Sequence, residues 1–253
     1  MLLSTAYFPP VSYLSLLARD MTLSPDRVMP SHVFLEACEN YQKQSYRNRC
    51  YILAGDGVQM LQVPVKHSLK GEVPLSSTSL RDTPGSPEIS NFRGGSVRAN
   101  VPESGTSPLN ICSILVDYST PWVVRTRRAL DTAYETSAYY EYYRDEVFAL
   151  LDARPRTLWE LNLSTILFLL EKTGIACELS PTTEFAAPGE GPADDFRYTL
   201  HPKKADSILP DMGLDKPYYQ VFRDRMGGFT PKMSCLDLLF NEGPDSILWL
   251  KAL

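Results

Sequence analysis

Nine consecutive residues, 41 to 49, carry the densest group of side chains that could bind a small charged molecule. They read Tyr-Gln-Lys-Gln-Ser-Tyr-Arg-Asn-Arg, with three cations, three side-chain amides and three hydroxyls. The planar guanidinium of arginine pairs with a carboxylate or phosphate through two hydrogen bonds, and lysine adds a point charge. The segment therefore predicts an anion clamp in which Lys43, Arg47 and Arg49 hold the anion while Gln44 and Asn48 orient it.

A simpler pattern explains the same residues. Side chains on a β-strand alternate between its two faces, so Arg47 and Arg49 would point to solvent while Asn48 and Cys50 point inward. Charged faces are common on sheets with one solvated side. From the residues alone, both the clamp and the solvated strand face stay open as interpretations.

Two carboxylates stand just before this segment. Glu36 and Glu39 could place a general acid or base beside the cations, which would make either of them catalytic. They could equally be structural partners of Arg47 or Arg49, because buried ion pairs perturb protonation as strongly as active sites do.

The histidines do not form a metal-binding pattern. No His-x-x-x-His or His-Glu-x-x-His spacing places two ligands on one helix face, so no metal is expected. The chain also lacks Gly-x-Ser-x-Gly, a P-loop and the dinucleotide fingerprint, and no cofactor is predicted. His201 stands beside Lys203 and Lys204, whose charges would lower its pKa, although a surface loop at Pro202 explains the segment as well.

Length and composition predict one domain over residues 1–253, and the expected strands and helices indicate an α/β fold with a central mixed sheet, a β-hairpin and flanking helices. Of 253 residues, 43% are hydrophobic and 22% charged, which is enough apolar surface for a large core. A net charge of −5 gives no basic face for a nucleic-acid backbone. Scattered cysteines and the lack of an apolar run of about 18 residues are typical of a cytoplasmic protein without a membrane span.

Periodicity and capping signals place the elements that would position these groups. A hairpin is expected from 47–53 and 58–65 around a Gly-Asp-Gly turn, and helices are expected at 11–18, 122–134 and 139–151. Thr157-x-x-Glu160 and Ser234-x-x-Asp237 predict two further helix starts. From 71 to 109 Ser, Thr, Pro and Gly dominate, which predicts a long surface loop or insertion.

Short motifs spread over nearly the whole chain carry a resemblance to a known family. They are Tyr7-Phe8-Pro9, the segment 41–49, Val63-Pro64-Val65, Asp-Tyr-Ser-Thr-Pro-Trp at 117–122, His201-Pro202-Lys203, Lys-Pro-Tyr-Tyr-Gln at 216–220 and the stretch 234–244. On these motifs the chain resembles the WbqC-like family, in particular the form found in Bacteroides-type bacteria.

The resemblance implies a role in O-antigen or other surface-polysaccharide synthesis. Glycine or amino-acyl transfer is the suggested reaction, and a small anionic or nucleotide-activated molecule is the implied substrate. Lys43, Arg47, Asn48 and Arg49 match the family's basic motif in order, which supports the clamp. A non-catalytic protein that binds a sugar or a partner through the same face is the alternative.

We expect the basic motif to form one pocket with residues from distant parts of the chain. The substrate-binding set would then also include Tyr7, His201, Tyr218 and Ser234. More typical relatives begin with His-Gln-Pro where this chain has Leu-Ser-Thr-Ala at 3–6, and they carry paired acids at 37 and 38, where this chain has Ala and Cys.

Overall fold

The structure is a computed structural model that describes residues 1–23, 28–67, 109–214 and 216–251. Apart from Leu109, the loop expected at 71–109 lies outside the described residues. The strands are β1 (Leu2–Leu3), β2 (Thr22–Leu23), β3 (Val28–Met29), β4 (Ser31–Leu35), β5 (Arg49–Ala54), β6 (Gly57–Gln62), β7 (Val65–His67), β8 (Ile114–Val116) and β9 (Cys177–Pro181). The helices are α1 (Val11–Arg19), α2 (Trp122–Tyr134), α3 (Tyr140–Asp152), α4 (Leu158–Thr173), α5 (Ile208–Asp211), α6 (Cys235–Glu242) and α7 (Ser246–Leu250).

A parallel sheet of three strands, in the order β1-β4-β9, organises the site. Leu2 pairs with Phe34, and Ser31 pairs with Cys177. Side chains on β4 alternate between buried and exposed, so one face of the strand joins the core. Because the strands are parallel, the residues that follow β1, β4 and β9 meet at one edge of the sheet, and open parallel sheets commonly bind ligands at this edge.

The predicted hairpin is confirmed, and so is the α/β fold class. β5 pairs with β6 in antiparallel register, with Cys50 opposite Leu61, and both side chains are buried. The turn passes through Gly57 at a φ of 128°, a conformation that side chains with a Cβ rarely adopt. β2 with β3 and β7 with β8 form two further antiparallel pairs.

The helices begin and end where local chemistry predicts. At α4 the Thr157 hydroxyl accepts a hydrogen bond from the Glu160 N–H (3.1 Å), and the Glu160 carboxylate accepts one from the Thr157 N–H (3.0 Å). This reciprocal capping box satisfies two backbone donors that a helix start leaves unpaired. The helix ends at Gly174, whose φ of 69° is the left-handed C-cap conformation.

The capping signal at Ser234 is half right. The Ser234 hydroxyl accepts a hydrogen bond from the Leu236 N–H at the start of α6 (3.2 Å). Asp237 does not reach back to the cap. Its carboxylate points into the interior, where it accepts hydrogen bonds from Tyr134 and Tyr218, so the sequence pattern concealed a buried acidic group.

One apolar cluster joins most of these elements. α4 is buried on nearly every side, as its almost continuous apolar run predicts. α1 is similar, and its Leu14 and Leu17 are fully buried against the same cluster. Burying such side chains contributes about 1.5–3 kcal/mol each, so the core provides a rigid support for the polar edge of the parallel sheet.

Candidate functional site

A tight turn before the hairpin directs Arg47 into the protein. Gln44 adopts a φ of 61°, in the left-handed region that such turns use. The Ser45 hydroxyl donates a hydrogen bond to the Gln42 carbonyl (2.7 Å), and the Tyr46 carbonyl accepts one from the Tyr7 N–H (2.9 Å). Arg47 comes before the first residue of β5 and is only 3% exposed. The strand interpretation, which turned Arg47 toward solvent, is therefore wrong.

Arg47 forms a buried ion pair with Glu39. Its Nε donates a hydrogen bond to Oε1 of Glu39 (2.8 Å), and its Nη2 donates to Oε2 of the same carboxylate and to the Ser4 hydroxyl. Ser4 in turn donates to Glu39 (3.1 Å). Such a two-point pair offsets part of the cost of removing both charges from water. The positive charge of Arg47 is thus neutralised inside the protein.

Glu36 forms a second buried pair with Arg197. Nη1 of Arg197 donates a hydrogen bond to Oε2 of Glu36 (2.6 Å), while Oε1 accepts from the Thr182 hydroxyl (2.6 Å) and the Cys38 N–H (2.9 Å). Arg197 also holds Asp195 through Nε and Nη2. Burial raises the pKa of Asp195, but hydrogen bonds from Arg197 outweigh burial and lower it.

These five charged residues form the ionic cluster: Glu36, Glu39, Arg47, Asp195 and Arg197. Ser4 follows β1, Glu36 and Glu39 follow β4, and Thr182 follows β9. The cluster and its hydrogen-bond partners therefore lie at the carboxyl edge of the parallel sheet. Both glutamates are almost completely buried, at 0% and 2% exposure.

A shallow two-part depression lies beside the ionic cluster. We call its parts the inner half and the outer half; Tyr46 and Leu200 line both. The inner half is also lined by Ser4, Thr5, Ala6, Tyr13, Arg47, Phe196 and Arg197. The outer half is also lined by Thr199, His201, Lys204, Ala205, Asp206, Ser207 and Lys232. Their volumes, including space open to solvent, are about 270 and 220 Å³.

The outer half carries the accessible cations. The Lys204 ammonium donates one hydrogen bond to the Tyr198 carbonyl (2.7 Å), and the Lys232 ammonium donates one to the Lys204 carbonyl. Since an ammonium has three protons, each lysine keeps donors for a ligand. These two lysines form the more open positive surface of the depression.

His201 is held in one orientation beside these lysines. Its Nδ1 accepts a hydrogen bond from the Lys203 N–H (3.2 Å), so a neutral ring carries its proton on Nε2. Burial lowers the pKa of His201, and Lys204, Lys203 and Arg47 lower it further. The predicted effect of the neighbouring lysines is confirmed, and near neutral pH the imidazole is an uncharged hydrogen-bonding group.

The structure brings together part of the predicted site. Arg47 lines the inner half, His201 lines the outer half, and Glu36 and Glu39 hold the two arginines. Gln44 accepts a hydrogen bond from Lys203, which joins the predicted basic turn to the His201 segment.

The other predicted residues do not line either half. Lys43 is exposed, and Asn48 is buried with its amide donating to the Val63 carbonyl (3.0 Å). Arg49 lies in β5 opposite Gln62. The remaining predicted residues that lie outside both halves are Tyr7, Tyr218 and Ser234, all of which are buried.

Tyr218 belongs to a separate polar group, the Asp237 cluster, formed by Asp237, Tyr134, Tyr218 and Gln220. The Asp237 carboxylate accepts hydrogen bonds from the Tyr134 hydroxyl (2.9 Å), the Tyr218 hydroxyl (2.6 Å) and the Gln220 amide (2.8 Å). Burial raises the pKa of Asp237, and these neutral donors lower it only in part. None of the four residues lines the depression, so we interpret the role of this cluster as structural.

Sequence reasoning missed several residues that shape the depression. Arg197 is 161 positions from Glu36, and no local motif marks the pairing. Thr5 and Lys232 likewise stand outside any recognisable chemical pattern. Lys204 was visible as a neighbour of His201, and that proximity was the available signal.

The fold and the depression define an α/β protein with a polar site at the carboxyl edge of a parallel sheet. No described helix is long and apolar enough to cross a membrane. A model of the WbqC-like protein family matches residues 6–88 and 89–201, which together are most of the chain. The chain therefore belongs to the WbqC-like protein family. No curated protein and no solved structure matches it.

Proposed function

We propose that the protein binds a small activated anionic substrate with its anionic group in the outer half of the depression, and that it transfers a group from this substrate during surface-polysaccharide synthesis. The observation that carries the proposal is the placement of Lys204 and Lys232 beside His201, with ammonium protons available to a phosphate or carboxylate. Family membership supports the polysaccharide context, and O-antigen synthesis in the cytoplasm of a Bacteroides-type bacterium, with glycine or amino-acyl transfer, is its proposed form.

The ion pairs favour the lysines over the arginines as the anion-binding groups. Arg47 already shares two hydrogen bonds with Glu39, and Arg197 is held by two carboxylates. An incoming anion would have to compete with these internal carboxylates at short distance. At the outer half it meets ammonium groups whose hydrogen-bond partners among the described residues are backbone carbonyls.

Glu36 and Glu39 act in this proposal as positioning residues. A general base must reach the proton that it removes. Every oxygen of both carboxylates already accepts a hydrogen bond from the protein, so either glutamate would first have to release a partner. Their proposed role is to fix the arginines that form the wall of the inner half.

The same burial supports a second candidate function, in which the protein binds its ligand without catalysis. A binding protein needs a preformed polar depression but no accessible acid or base. In this candidate the depression recognises a sugar or a sugar-bearing partner. The two candidates differ in turnover and agree on where the ligand binds.

Binding is tested with the full chain by thermal shift and calorimetry, using a panel of nucleotide sugars and inorganic phosphate as probes. We expect the double variant Lys204→Ala/Lys232→Ala to weaken the best probe by at least about tenfold, because two charge-assisted hydrogen bonds are lost. The matched control is Lys216→Ala, an exposed lysine outside both halves. Equal affinity in the double variant and the control would contradict the proposal.

Lys43→Ala tests the clamp as first predicted from the sequence. Lys43 is exposed and outside the depression, so we expect its loss to leave affinity unchanged. A loss of affinity as large as that of the double variant would indicate that the anion binds at the basic turn instead.

Catalysis is tested by incubating the best-binding donor with a panel of sugar acceptors and detecting transfer by mass spectrometry. If transfer occurs, Glu39→Gln should lower kcat without removing a limb of the pH profile, as a positioning role requires. Loss of the acidic limb in Glu39→Gln would assign that carboxylate a proton-transfer role. No turnover of any bound donor would favour the binding protein.

A further inference from the structure

The cations of the inner half are paired with carboxylates, whereas Lys204 and Lys232 of the outer half donate to backbone carbonyls. The ionic cluster contains three carboxylates and two guanidinium groups, so its formal charges sum to −1. The low pKa of Asp195 keeps its carboxylate ionised near neutral pH. An anion entering the inner half would therefore compete with these carboxylates for Arg47 and Arg197, the two charged residues that line it, so the inner half suits an uncharged polar group better.

Thr5 lies in the wall of the inner half, and its buried hydroxyl is an unused hydrogen-bonding group there. The residue is 2% exposed and lines the inner half, and its hydroxyl has no hydrogen-bond partner within the described ranges. Buried hydroxyls are nearly always paired, and leaving one unpaired costs about 1–3 kcal/mol. The Ser4 and Tyr13 hydroxyls are occupied, since Ser4 bonds Glu39 and Tyr13 donates to the Ser4 carbonyl (3.0 Å).

The size of the inner half limits what it can accept. It is shallow and admits a single small functional group such as a hydroxyl, with the rest of a ligand lying over Tyr46 and Leu200 toward the lysines. These two residues line both halves, so one small molecule can contact both.

We propose that the inner half recognises an uncharged hydroxyl of the ligand through the Thr5 hydroxyl, so that the ligand class is a hydroxyl-bearing phosphate, such as the phosphorylated end of a sugar. The inference rests on the proposed function, because it takes the anionic group of the ligand to lie in the outer half. It adds a second recognition element that a bare anion cannot use.

A matched pair of probes isolates this element. Glycerol 3-phosphate and n-propyl phosphate have the same carbon chain and the same anionic group, but only the first carries hydroxyls. We expect calorimetry on the full chain to show glycerol 3-phosphate binding about threefold to tenfold tighter, the range expected for one hydrogen bond. Thr5→Val keeps the shape of the side chain and removes the hydroxyl, so the two probes should then bind equally. Thr5→Ser restores the hydroxyl and should retain the preference.

Each result bears on a different part of the argument. A preference that persists in Thr5→Val overturns the role of Thr5. Equal binding of the two probes to the unmodified protein overturns the inference and leaves the proposed function standing. If neither probe binds, and nucleotide sugars also fail, the proposed function falls and the inference falls with it. Circular dichroism of both variants confirms that they are folded, and since the Thr5 hydroxyl has no described partner, Thr5→Val should retain the stability of the protein.

Discussion

The ionic cluster and the Asp237 cluster bury carboxylates in opposite ways. Glu36 and Glu39 are each held by an arginine, whereas Asp237 is held by two tyrosine hydroxyls and an amide. The first cluster stands beside an open depression at the edge of the sheet, and the second lies outside that depression.

The difference shows how charge and access are combined in this protein. The ionic cluster pairs its charges internally, and its two arginines still form part of the wall of the inner half. Asp237 has only neutral donors, no residue of its cluster lines the depression, and burial raises its pKa. We therefore place ligand binding next to the ionic cluster and assign the Asp237 cluster to stability.

Breaking one ion pair should have the largest effect. Arg47→Met leaves the Glu39 carboxylate buried without its cation, and we expect the free energy of unfolding to fall by about 3–5 kcal/mol. Urea unfolding measures the loss. Glu39→Leu combined with Arg47→Met removes both charges and should lower the free energy of unfolding less than Arg47→Met alone. As a control, Arg127→Gln in the exposed pair with Asp152 should cost no more than about 1 kcal/mol. If Arg47→Met lowers the free energy of unfolding no more than Arg127→Gln does, loss of Arg47 does not leave the Glu39 carboxylate as an uncompensated buried charge.

Neutralising the second cluster should have a smaller effect with a defined pH dependence. Asp237→Asn keeps the shape of the side chain and part of its hydrogen bonding, and we expect the free energy of unfolding to fall by about 1–2 kcal/mol at acid pH. Because the pKa of Asp237 is raised in the folded state, the stability contributed by its protonated form is fully present below the usual value of 3.8 and declines as pH rises. The stability difference between the unmodified protein and Asp237→Asn should therefore shrink from pH 4 upward. A difference that grows with pH would mean that the carboxylate is stabilised as an anion.

The smallest expected effect is a pH dependence of anion affinity caused by His201. It tests whether the depression, unlike the Asp237 cluster, binds an anion. The lowered pKa of His201 keeps the imidazole neutral near pH 7, so it becomes positive only below the usual value of 6.5. Sulfate keeps a constant charge over this range, and its affinity should rise a few-fold as pH falls from 6.5 toward 5, because protonation adds a cation beside Lys204. His201→Gln should remove the rise. A pH profile that is unchanged by His201→Gln would separate the imidazole from anion binding.

Local signals were sufficient for much of the fold. The hairpin, α2 and the capping box of α4 follow from alternation, periodicity and residue spacing, all of which act within a few positions. Strand order was beyond sequence reasoning, since β4 pairs with β9 through contacts about 145 residues apart.

Only the part of the candidate site that is formed by residues close in sequence was predictable. The basic turn and the two glutamates were visible as a dense polar segment, and the structure does join Arg47 to Glu39. Composition could not predict that Glu39 would neutralise the charge of Arg47. It also could not bring Arg197, Thr5 and Lys232 to the same place, because only the folded chain does so.

The contact between the Phe8 carbonyl and the Ser234 hydroxyl (2.8 Å) has a consequence for how the protein is made. The two groups are separated by 226 positions, and the Pro9 carbonyl is likewise bonded to the Cys235 N–H (2.8 Å). On the ribosome, the loop that follows β1 is therefore synthesised long before its partners emerge. Phe8 and Pro9 can make these two hydrogen bonds only after the start of α6 has been synthesised.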